Sequence, residues 1–163
     1  MSAPTDGSSL TQTEQVKSKT PMVIAVCCAC VSLALVFGVG FASHTILRHV
    51  IQTLPCWAVI ALGFRGSRVT AWAALPVFLF WLVICGLIWS YLLGISHIVS
   101  GHFSPVETAM TIIVGVCAMI GIASFARFKS GLPAESAGIL FLLMAIFQWV
   151  CFRVSILPAI SGR

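Results

Sequence analysis

The chain has 163 residues, of which 60% are hydrophobic and 8% charged, with a net charge of +5 and a mean hydropathy of +1.09. Soluble domains carry about 25% charged residues, so a soluble chain of this length has too few charges to cover so much apolar surface. Nucleic acid is not an expected partner either: the basic residues stand singly or in pairs at the ends of apolar runs, with no basic patch interleaved with aromatics. What remains is a protein whose solvent is the lipid bilayer.

In lipid every backbone group must find its hydrogen bond within a helix or a closed barrel. The apolar runs here are continuous and do not alternate, which favours helices. The expected fold is all-α: a multi-pass transmembrane helical bundle of five spans with short loops, occupying residues 21–158, with the N-terminus inside and the C-terminus outside.

Residues 1–20 are polar, rich in Ser, Thr and Gln and free of aromatics, and read as a disordered cytoplasmic tail. The first span is expected at 22–43. Asp6 and Glu14 in the tail, and an apolar run much longer than a signal h-region, suit an uncleaved signal anchor, although Gly40-Phe41-Ala42 offers small residues of the kind a signal peptidase selects. The second span, 46–64, opens with Arg48, His49, Gln52 and Thr53 and contains Pro55, whose freed carbonyl a neighbouring group can satisfy. The third, 69–95, is the longest and carries Trp72, Trp89 and Tyr91 towards its ends, where aromatics suit the headgroup region. Its length predicts tilt or a protruding end.

The fourth span, 105–126, has the sharpest start. Ser104-Pro105-Val106-Glu107 spells a capping box with proline at the first helical position, where its missing N–H leaves no bond unmade. The fifth, 136–157, follows the turn-like Lys129-Ser130-Gly131-Leu132-Pro133 and stops at Pro158, leaving 159–163 as a short tail. With five spans and an inside N-terminus, the inner segments hold Lys17, Lys19, Arg65, Arg68, Arg127 and Lys129, and the outer ones Arg48, Arg153 and Arg163. That bias obeys the positive-inside rule. Were the second run not to span, Arg65, Arg68, Arg127 and Lys129 would move outside and the bias would reverse.

Helices associate in lipid through close packing of small residues. Cys30, Ala34, Gly38 and Ala42 fall at spacings of four on the first helix, and the fourth carries Thr111 with Gly115 and Cys117 with Gly121. These stripes predict close contacts within the bundle or with a second copy. All seven cysteines lie in apolar runs and read as packing residues. The group Cys27-Cys28-Ala29-Cys30 matches no zinc spacing.

No carboxylate sits at mid-depth, which weighs against a pump or ion-coupled transporter. One constellation stands out: His44, His49, His97, His102 and Glu107 all fall on the outer face, where they could ligate a transition metal or, as an axial histidine pair, a haem. Against this, five residues within each histidine pair do not place both rings on one helical face, and interfacial histidines need no ligand. Catalytic residues are not expected: neither a Ser/His/Asp arrangement nor a phosphate-binding glycine loop is present.

The leading expectation is a non-enzymatic structural, assembly or regulatory subunit of the bacterial inner membrane. Its partners would be the lipid bilayer and another membrane protein or a second copy, met through helix packing. The alternatives are a haem- or metal-binding electron-transfer or sensor protein, and an uncoupled permease or channel lined by Gln52, Pro55 and Gln148.

Overall fold

The computed structural model describes residues 8–98, 103–128 and 131–161, with side chains from residue 19 to residue 160. Helix α1 (Ser8–Leu33) continues through a π-helical stretch, Ala34–Val39, and a last turn, Gly40–Ala42. Then follow α2 (Ile46–Phe64), α3 (Thr70–Leu92), α4 (Pro105–Arg127), α5 (Ala134–Ser155) and the single turn α6 (Pro158–Ser161); the described residues contain no strand. Five stretches are long and apolar enough to cross a membrane: Lys19–Ala42, Ile46–Phe64, Thr70–Leu92, Pro105–Arg127 and Ala134–Ser155. Even the shortest, at 19 residues, rises ~28 Å, close to the ~30 Å of a hydrocarbon core. The fold is an all-α multi-pass bundle.

Two ends differ from expectation. Helix α1 starts at Ser8, so from there on the polar stretch expected to be a disordered tail is helical; residues 1–7 lie outside the described residues. A helix nucleated by an apolar span extends readily through Ser, Thr, Gln, Glu and Lys. Helix α3 ends at Leu92, short of Ile95, because Gly94 turns the chain at φ 72°.

Three helices end in the same motif, in which a residue of positive φ lets the next N–H reach back five residues. Gly66 (φ 64°) serves α2, with Ser67 N–H donating to the Leu62 carbonyl, and Gly94 serves α3, with Ile95 donating to Ser90. At the end of α1 the place is taken by His44 (φ 55°), with Thr45 N–H donating to the Gly40 carbonyl at 2.9 Å.

The long helices pack in the cyclic order α1–α2–α5–α3–α4, and α3 touches all four others. Its inner face supplies much of the core: Ala71, Ala73, Ala74, Val77, Phe78, Trp81 and Cys85. Helices α4 and α5 flank it and are the least enclosed, 22% of each span being buried against 39–44% for the others. Sequence neighbours run antiparallel. At the α1–α2 crossing, a Cβ on Gly63 would come within 2.5 Å of the Ala25 Cβ and 2.7 Å of the Pro21 carbonyl oxygen, so only glycine permits that approach. Proline also stands inside α1, α2 and α3, at Pro21, Pro55 and Pro76.

Candidate functional site

Alternating helix direction gathers the C-terminal ends of α1, α3 and α5 with the N-terminal ends of α2 and α4. This end carries His44, Arg48, His49, His97, Glu107 and Arg153, while Lys19, Arg65, Arg68 and Arg127 sit at the other. Between α2 and α5, just below the histidine end, lies a buried polar network. Gln52, 3% exposed, donates from Nε2 to the Ser155 Oγ at 2.8 Å. Ser155 in turn donates to the Phe152 carbonyl at 2.7 Å. Gln148, 1% exposed, donates from Nε2 to the Gln52 main-chain carbonyl at 3.2 Å.

Pro55 has no N–H to offer its helix, which leaves the carbonyl four residues before it, that of Ile51, without its usual donor. Gln148 of α5 donates to the next carbonyl of the same turn, that of Gln52. His49 lies one turn before Gln52 on the same helix, within electrostatic range of Arg48 and Glu107. In this region Nδ1 of His49 and Oε1 of Gln148 are buried without a hydrogen-bond partner.

Glu107 is committed to the start of α4. Its Oε2 accepts from the Ser104 N–H at 2.7 Å while Ser104 Oγ accepts from the Glu107 N–H at 3.2 Å, the capping box written in the sequence. Among the residues named as candidate ligands, His49 and Glu107 come within electrostatic range of each other but share no hydrogen bond. His44 is exposed at the end of α1, and His97 is exposed with its ring 6.3 Å from that of Tyr91; His102 lies outside the described residues. Among the described residues no three of His, Cys, Asp and Glu gather closely enough to hold a metal ion. The residues named for a permeation path, Gln52, Pro55 and Gln148, are all buried at the α2–α5 contact.

The small residues divide between two surroundings. Ala34 is buried, Cys30 is half-buried, and a Cβ on Gly38 would meet Met110 of α4 at 2.5 Å, whereas Ala42 is exposed. Gly121 lies against the Phe78 ring, where a Cβ would collide. Gly115 faces outward, and a Cβ added there would meet nothing within 4 Å; the same holds for Gly86 of α3, which belongs to none of the small-residue stripes. Together these two form part of a shallow groove of about 490 Å³ between α3 and α4, lined also by Leu82, Trp89, Ile112 and Val116. The groove is closed at its base by side-chain bonds across the pair: Trp89 Nε1 donates to Thr111 Oγ1 at 3.1 Å, and the Cys85 thiol to the Thr111 carbonyl at 3.6 Å.

No protein-family model, curated protein or solved structure matches the chain. The five apolar helices and their buried cross-helix contacts identify it as an integral membrane protein.

Proposed function

We propose that the chain is a non-enzymatic structural, assembly or regulatory membrane subunit, acting through contact of its helices with another membrane protein or a second copy. The observation that carries this reading is the groove between α3 and α4. Gly86 and Gly115 open a notch on an otherwise bulky apolar surface, rimmed by exposed Ile112, Val116, Met119 and Ile120. Lipid makes no demand for small residues on a lipid-facing surface, whereas an incoming helix gains dispersion contacts only where backbones approach closely. The polar groups of α2 and α5 are meanwhile engaged in holding the bundle together. We place the protein in a bacterial inner membrane with the N-terminus inside, following the excess of Lys and Arg in the segments assigned to that side.

The test is association of the full chain in native membranes, read by cross-linking and co-purification, with Gly115→Leu as the variant. Filling the notch should abolish the complex while the protein stays folded, because nothing inside the bundle touches that position. A wild-type chain that is monomeric and unaccompanied, or a complex indifferent to Gly115→Leu, would overturn the reading.

A further inference from the structure

All seven cysteines are free thiols in the spanning helices. Five of them meet where α1 packs on α2 and α4. Antiparallel packing sets Gly38 of α1 against Met110 of α4. About two turns further along both helices, the same register brings Cys30 opposite Cys117, and the two thiols are within electrostatic range of each other. Cys27, three residues before Cys30 and so on the same face, lies within electrostatic range of both. Cys28 points the other way, onto α2, where it is buried in the core near Cys56.

The two facing pairs differ in access. Cys28 and Cys56 are 0% exposed, sealed inside the bundle. Cys30 and Cys117 are only half-buried, at the seam of α1 and α4 that borders the lipid. Cys30 is also near the middle of its span, Lys19–Ala42, so an oxidant that reaches it must dissolve in hydrocarbon.

We propose that Cys30 and Cys117 are a lipid-accessible dithiol that closes to an interhelix disulfide when a quinone dissolved in the bilayer oxidises it. Both S–H bonds break and one Sγ–Sγ bond forms; two electrons and two protons pass to the quinone, which leaves as its hydroquinone. The bond fastens α1 to α4. Cys27 stands beside it as a third thiol, placed for thiol–disulfide exchange. The pair Cys28–Cys56 stays reduced because no oxidant reaches it.

The test uses the purified full chain in phospholipid vesicles, without oxygen, exposed to a short-chain ubiquinone and then to an alkylating reagent under denaturing conditions. The expected result is loss of two of the seven alkylatable thiols, a linked peptide pair containing Cys30 and Cys117, and recovery of both thiols on reduction. Cys30→Ser and Cys117→Ser should abolish the loss, and Cys28→Ser should leave it intact. Parallel treatment of the wild-type chain with iodine, a stronger lipid-soluble oxidant, reports whether the two sulfurs meet, without any substitution. An unchanged thiol count with quinone, whether or not iodine links the pair, overturns the proposal, as does oxidation mapped to any other pair.

Discussion

His44 does at the end of α1 what Gly66 and Gly94 do at the ends of α2 and α3: it holds the left-handed conformation that closes the helix. A side chain in that conformation is strained by about 1–2 kcal/mol where glycine is not. His44→Gly should therefore raise resistance to unfolding by about 1 kcal/mol, measured by equilibrium denaturation in mixed micelles; a fall would mean the imidazole makes contacts of its own. The two buried glutamines should respond unequally. Gln52→Leu takes away the donor that the buried Ser155 hydroxyl accepts from, with nothing to offset the loss, and should cost more than about 1 kcal/mol, towards the upper end of measured intramembrane hydrogen bonds. Gln148→Leu loses one bond but also removes an unpartnered buried oxygen, so its net effect should be under ~1 kcal/mol. Equal losses in the same denaturation assay would contradict this network. Gln52 is visible in the sequence as a polar residue in an apolar run, but its link to Gln148 and Ser155 spans about a hundred residues, beyond the reach of local pattern.

Among the helices, α4 is the one whose start is legible residue by residue, because a capping box is a local code. Ser104→Ala removes the acceptor for the Glu107 N–H and should destabilise the chain by about 1 kcal/mol, read as earlier amide exchange in the first turn of α4. The crossing of α1 and α2 rests on Gly63, where any side chain meets Ala25 and the Pro21 carbonyl. Gly63→Leu must push the two helices apart, and a loss at or above the ~1–3 kcal/mol of an overpacked core is expected, seen as a lowered melting temperature. Gly121→Leu, against Phe78, should behave alike, in contrast to the silent effect of Gly115→Leu on folding. By sequence alone Gly115 and Gly121 form one class of small residue. They are six residues apart, so they point about 120° apart around the helix, and only the neighbouring α3 reveals which is inside.

For the molecule as a whole, alternating helices put the chain's histidine-rich segments at one end and most described lysines and arginines at the other. A reporter fused after Arg163 that is active only outside should register activity, and one active only inside should not. The reverse result would mean either that the five-span bundle is inserted the other way round or that the number of crossings is even, with α2 the segment to suspect in the latter case. In that case the metal reading also fails, since His97 and His102 would lie across the membrane from His44 and His49.

Composition and local order were sufficient for the solvent, the helical class, the five candidate spans and the α4 cap. Each depends on residues within one helical turn or on a single apolar run. What the tertiary structure alone decided is which face of each helix looks inward, that Gln148 reaches the main chain of α2, and that Cys30 faces Cys117. In water, periodic polarity marks the outer face of a helix. In lipid both faces are apolar, since hydrocarbon and protein core make the same demand, and the mark is erased. Inside and outside are then distinguished only by shape and by a few polar partners, and both appear only when the helices are side by side.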